Sequence, residues 1–243
     1  FNGVDDGGSG DADANDNKEF VARVFIKPFV SSRSVLRNFG VGVSATYGEH
    51  RGSPTAPGIA GYRSPGQNSF FSYRSNGQVA GTVIADGNRS RLVPQGSLYL
   101  GRVGMIAEHV TAKHEVRLNA QLVEIGNRAW QVSAGYVLTG EDASERGVKP
   151  VNPFEPADRQ WGALELTARA HALLIDDDAF PLLAVPTRSA SEARAWGVGL
   201  NWYLNQNVKL VVNYDRTTFS GGAVADAERS RESAIFSRIQ FAL

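Results

Sequence analysis

The sequence predicts an all-β fold, an antiparallel transmembrane β-barrel. Three observations predict it. Apolar residues recur at every second position through segments of about 10 residues, the length a tilted strand needs to cross a bilayer. The alternate positions of the same segments are small, polar or charged, so each strand has one apolar and one polar face. No stretch approaches the roughly 18 uninterrupted apolar residues of a membrane helix, and no long helical period is visible.

The pattern is clearest over residues 192–218. Trp196, Val198, Leu200, Trp202 and Leu204 alternate with Ala195, Gly197, Gly199, Asn201 and Tyr203. Val208, Leu210, Val212 and Tyr214 then alternate with Lys209, Asn213, Asp215 and Thr217. Asn205-Gln206-Asn207 between them makes the pair an antiparallel hairpin. Trp202 and Tyr203 near the turn, and Tyr214 near the other end, fall where an aromatic girdle at a membrane interface is expected.

Composition sets outer bounds. Lys+Arg number 25 and Asp+Glu 25, so net charge gives no argument for nucleic acid, and none is expected as a partner. Any electrostatic function must lie in how charges are arranged. Cysteine is absent, which excludes disulfides and thiolate metal sites. A mean hydropathy of −0.24 suits a barrel in which only alternate strand residues face lipid. The chain opens on Phe1 without a visible signal peptide and reads as a fragment or processed form.

Residues 1–17 are acidic and Gly-rich and read as a loop or leader before a single barrel portion over 18–243. Asp11, Asp13 and Asn15 resemble the start of a calcium loop, but Asp16 and Ala22 stand where its glycine and glutamate belong, so no metal or other cofactor is expected. Strand one is 18–28, ended by Pro28, and strand two is 38–48. Residues 49–87, with Pro54, Pro57 and Pro65, form a loop of a length that is uncommon and usually functional, carrying Arg51, Arg63 and Arg74. Strand three, 88–100, sets Leu92, Pro94, Leu98 and Leu100 against Arg89, Arg91, Gln95, Ser97 and Tyr99. Gly101–Gly104 is a tight turn.

Strand four, 104–116, alternates poorly, and its faces are not assignable from sequence. Residues 117–126 read as a connection, unless Leu118, Ala120 and Leu122 extend the neighbouring strand beyond the membrane. Strand five is 127–139, followed by a second long connection, 140–160, and strand six, 161–174. A loop at 175–191 precedes the hairpin; 219–230 and a last strand, 231–243, follow it. Nine strands result. With the C-terminus on the periplasmic side, parity places 101–104 and 204–207 in the periplasm and 49–87, 175–191 and 219–230 outside. Residues 140–160 then make an unusually long periplasmic connection.

Cost decides which face meets lipid. An arginine on the lipid face near the midplane costs roughly 2–4 kcal/mol, a cost that vanishes in a watery lumen. Arg23, Arg169, Lys209 and Arg238 share parity with the polar residues of their strands and should point inward, as should Arg89 and Arg91. Rings of arginine and lysine select anions, and guanidinium pairs bidentately with phosphate oxygens. Arg63, Arg74, Arg89, Arg91, Arg169, Lys209 and Arg238 are therefore the candidate anion pathway. Such residues also line many barrels merely to brace the wall, which keeps open a structural or plugged barrel, a non-enzymatic binding protein, or a soluble β-sandwich. No enzyme is expected: His50, His109, His114 and His171 stand in no motif with a nucleophile, and His109 and His114, five apart, belong to opposite faces.

In order along the chain, several blocks resemble the phosphate-selective porins O and P. They are Arg23-Val24-Phe25 with Lys27-Pro28-Phe29, Phe70-Phe71-Ser72-Tyr73, and Asp86 through Gln95. Tyr136 through Glu141 with Gly147-Val148-Lys149-Pro150, Gly162 through Leu166, Gly199 through Asn205, and Arg238-Ile239-Gln240 continue the series. The resemblance implies a bacterial outer-membrane porin, sixteen-stranded and homotrimeric when full length, of which these nine strands are the C-terminal ones. It further implies loops folded into the lumen, with 49–87 and 140–160 as candidates, passive diffusion of small phosphate-like anions, and outer-membrane lipid around the wall. Leu243 departs from the aromatic final residue usual in the family.

Overall fold

The computed structural model describes residues 18–242; the acidic leader, its calcium-like positions before residue 18, and Leu243 lie outside the described residues. Eleven strands form: β1 (Glu19–Ile26), β2 (Phe39–Arg51), β3 (Tyr62–Arg63), β4 (Ser69–Phe71), β5 (Ile84–Leu100), β6 (Val103–Leu118), β7 (Gln121–Val137), β8 (Ala163–Leu174), β9 (Ala190–Tyr203), β10 (Val208–Gly221) and β11 (Glu232–Phe241). Nine of them make one sheet in the order β1-β2-β5-β6-β7-β8-β9-β10-β11, and β3 pairs with β4 apart from it. Every pairing is antiparallel. The sheet is open, with β1 and β11 as its edges.

Register places the faces as alternation predicts. Leu166, Leu200 and Val212 lie side by side on the outward face, as do Val43 and Pro94. The outward apolar side chains are exposed, Val24, Leu166, Trp196, Val212 and Ile239 among them, which is the mark of a wall whose solvent is lipid. From Trp202 up to the first outward arginine of β9, Arg194, is about 26 Å along the strand at roughly 3.3 Å per residue. That is close to the height of an outer-membrane apolar band. Trp202 packs against Phe154, which also touches Trp161, and its indole donates to the Trp161 carbonyl at 2.6 Å, forming an outward aromatic cluster at the end where the chain terminates. Tyr203 does not join it. It is buried on the inner face and its hydroxyl donates to Glu165 at 2.8 Å, as its parity requires.

Strand limits differ from expectation mainly at β6 and β7. The connection expected at 117–126 shrinks to Asn119 and Ala120, because Leu118 pairs with Gln121 and Asn119 takes the left-handed conformation a two-residue hairpin needs (φ 55°). Strand β5 likewise starts at Ile84, so the long connection expected over 49–87 spans 52–83. The weak alternation of β6 has a physical cause. Its lower half turns Val103, Met105 and Ala107 outward, where lipid lies, and Glu108 inward. Its upper half reverses polarity: Lys113 faces outward and pairs with Glu124 at 2.8 Å, while Val116 and Leu118 turn inward and are buried. The apolar face changes sides where lipid ends and infolded loops begin.

Those loops give the inner face three levels. At the far end, away from the C-terminus, Phe70 and Phe71 of β4 pack with Ile175, Ala179, Ala184, Ala193 and Phe219. Beside them Val83, Val116, Leu118, Ile125 and Leu183 form a second buried cluster. The two far-end loops are tied together: Tyr73 bridges to Ala184, and Ser72 exchanges bonds with Ser189. At the near end, the first part of the 138–162 connection also turns inward, where Ala143 and Val148 pack with Val137, Ala163 and Tyr203. Between these apolar levels the inner face is polar, and both long connections frame it.

Candidate functional site

The middle level carries the charges. On β8, β9 and β10, Arg169, Gly197 and Asp215 stand in one row of the sheet, and the Arg169 guanidinium lies 3.3 Å from the buried Asp215 carboxylate. Lys209 sits over the Tyr203 ring at 5.1 Å, and Arg238 pairs in register with Val211 beside it. Arg169, Lys209 and Arg238 line one inner-face cavity of about 440 Å³, with Ser133, Thr167, Asn201 and Asn213. Asp215 is the acid among its lining residues. Three lining cations stand with one lining carboxylate, itself held by Arg169, while the nearby Glu165 carboxylate accepts from the lining Asn201 at 2.8 Å.

A second basic group lies on β5, where parity places Arg89 and Arg91 on the inner face. Arg89 is nearly buried and bonds Glu19 at 3.1 Å across β2. Arg91 and His114 line a cavity of about 330 Å³ with Ile59, Tyr62 and Tyr73 of the far-end loop. His114 stacks on His50 with ring centres 5.8 Å apart, and His109 faces outward, so the two β6 histidines do occupy opposite faces. On β1, Arg23 donates to Gln95 at 2.8 Å, and Gln95 in turn donates to Ser44.

The loop arginines have other surroundings. Arg63 donates to the Gln67 carbonyl at 3.1 Å and lines an inner cavity with Phe70, Glu108, Gln131 and His171. Arg74 donates to the Pro181 and Leu182 carbonyls at 2.8 and 2.9 Å, and so acts as a clamp between the two far-end loops. Burial raises the neighbouring Tyr73 phenol well above its usual range, which keeps it neutral inside the loop core. The structure thus brings Arg169, Lys209 and Arg238 together and sets Arg89 beside Arg91, while Arg63 and Arg74 stand apart from both groups.

Glu19 and Asp215, the acids that hold Arg89 and Arg169, were not singled out by sequence reasoning. Their signal is a glycine on the intervening strand, Gly48 or Gly197, and it is readable only once register is known. Among the described residues no group of three or more His, Asp or Glu side chains is placed to hold a metal ion.

The family model for phosphate-selective porin O and P matches residues 3–243. Among curated proteins, none matches the chain. An open antiparallel wall with a lipid-type outer face, a polar inner face and infolded loops agrees with that match over nearly the whole chain. The chain therefore belongs to the phosphate-selective porin O and P family, the β-barrel channels of the bacterial outer membrane.

Proposed function

We propose that this porin conducts small anions passively, phosphate-like ions among them, along a cationic track on its inner wall. The observation that carries the reading is the convergence of Arg169, Lys209 and Arg238 on one cavity in which Asp215 is the acid. Fixed positive charge in a water-filled passage raises the local concentration of anions and repels cations. Arg89 and Arg91 extend the track toward the far-end loops, which narrow the passage. Because unpaired strand edges are costly in lipid, the free edges of β1 and β11 support a larger closed barrel completed by further strands. The C-terminal end then faces the periplasm, and the outward apolar wall meets lipid or, in a homotrimer, a neighbouring protomer.

Reversal potentials across a planar bilayer under a potassium chloride gradient test the reading. Anion preference is expected; cation preference, or no conductance, refutes it. A second reading, a barrel plugged by its far-end loops, draws on their buried Phe70, Phe71 and Leu183 core. It requires that conductance emerge only after residues 52–83 are cleaved.

A further inference from the structure

We propose that the outward rim of β6–β10 holds a phosphate-bearing lipid of the outer leaflet. It rests on the porin reading only in taking this end of the wall as the outer one; conduction does not enter. Four cations share the outward face of these strands. Arg216 stands in the row of Trp196. Arg194 stands in the row of Trp130, with the small, covered Ala172 between the two. Arg128 is the next outward residue beyond Trp130, and Lys113 lies one outward position beyond the Thr111–Arg128 pair. Lys113 and Arg128 also border the cavity behind the wall, but Asn127 donates to Tyr62 on the inner side, which turns its neighbour Arg128 outward. From β10 to β6 the cations step outward row by row. The near ends of the strands step the same way: Tyr203 meets Ala163, Val137 meets Glu165, and Val103 meets Tyr136. The cations therefore keep nearly one height. Directly below them lie the exposed Trp130 and Trp196, with Tyr214 edge-on to Trp196 at 5.8 Å and His109 beside Trp130. From the wall outward the face is apolar, aromatic, then cationic, the order of acyl chains, interface and phosphates in a leaflet.

Acids stand beyond the cations. Glu192 takes the Arg194 Nε at 2.6 Å, Glu124 takes Lys113 at 2.8 Å, and Glu115 accepts from the Asn88 amide. Among the described residues, Arg128 and Arg216 have no ion pair. A neighbouring protomer is the other candidate for this face, but interface cores are depleted of charge, so unpaired arginines fit it badly. Free phosphate would meet the cations alone. A lipid phosphate pairs with the guanidinium groups while its acyl chains lie along Trp130, Val132, Trp196 and Val198 below. Each cation beside an anionic headgroup strengthens binding roughly fivefold, so Arg128 and Arg216 together account for on the order of tenfold or more.

Native mass spectrometry of the detergent-folded porin tests this, with folding verified by heat-modifiable gel mobility. Dioleoyl phosphatidate should bind at least about tenfold more tightly than dioleoylglycerol, which lacks only the phosphate, and about a tenfold excess of inorganic phosphate should not displace it. Equal affinity for the two lipids overturns the proposal. Displacement by inorganic phosphate assigns the belt to the free ion and overturns the lipid. Arg128→Gln with Arg216→Gln should erase most of the preference, and Arg128→Lys with Arg216→Lys should keep most of it. A folded Gln variant that keeps the preference overturns the assignment to this belt. One that keeps it and changes the number of protomers assigns the face to a second copy, which also overturns it. Phosphatidate preference in a porin that proves cation-selective would refute the conduction reading and leave this one standing. Anion selectivity without that preference would do the reverse.

Discussion

Arg169 reaches Asp215 across a strand that belongs to neither of them, because the residue between them on β9 is Gly197. The same arrangement recurs at the other side of the sheet, where Glu19 and Arg89 meet over Gly48 of β2. Backbones two strands apart are about 9.6 Å from each other. At both places the missing side chain on the middle strand leaves a groove in which the arginine reaches the acid. Glycine thus marks two places on the inner face where an arginine meets an acid from two strands away.

Removing the acid should therefore release charge. Asp215→Asn leaves Arg169 without its carboxylate and adds one net positive charge to the cavity shared with Lys209 and Arg238. The anion-to-cation permeability ratio should rise, read as a shift of reversal potential toward the chloride value. A small loss of stability, about 1–3 kcal/mol, should accompany it, since a bond to a charged group is lost.

Filling the groove should break the pair by steric means. A Cβ at Gly48 would stand 2.9 Å from the Glu19 Cα and 2.7 Å from the Lys18 carbonyl oxygen, so Gly48→Val must push β1 away. Overpacking of this kind costs roughly 1–3 kcal/mol. The urea midpoint of the folded porin should fall, and Gly48→Ala should lie between the variant and the parent.

The far-end loops should depend on one ring. Phe71 is fully buried, edge-on to Tyr73 at 4.8 Å and to Phe180 at 5.9 Å. Phe71→Ala should cost the loop assembly roughly 3–5 kcal/mol. Residues 52–83 should then be cut faster by protease while the wall strands stay intact.

The near-end connection should respond to acid. Partial burial pushes the Glu141 carboxyl up, but the Thr139 hydroxyl, its own amide, the Val151 amide and the nearby Arg102 charge together outweigh that and hold it below the usual value. A depressed folded value means the contribution is present above the unfolded value and lost as pH falls through the lowered one. Hydrogen exchange at Val151 should accelerate in that acid window and not near neutrality; Glu141→Gln should remove the pH dependence.

Much of this was legible in the sequence where lipid alone dictates the pattern. The β9–β10 hairpin alternates cleanly because its lower course has lipid on one side and water on the other, and the inward parity of Arg89, Arg91, Arg169, Lys209 and Arg238 followed from it. β6 was opaque because two solvents change along its length: Val116 and Leu118 turn inward under loops whose docking no local pattern reports. Arg74 was expected on the anion pathway, and its carbonyl partners lie over a hundred residues away in sequence. Tyr203 stood beside Trp202 at a girdle position, and strict alternation, rather than proximity to the turn, decided its side.

Arg169, Lys209 and Arg238 are proposed to make the inner wall anion-selective. The most direct measurement is the reversal potential, under a potassium chloride gradient, of the parent and of the triple variant Arg169→Gln, Lys209→Gln, Arg238→Gln. The parent should be anion-selective, and the variant's reversal potential should move toward zero or to the cation side. An unchanged reversal potential in a folded, conducting variant would contradict it.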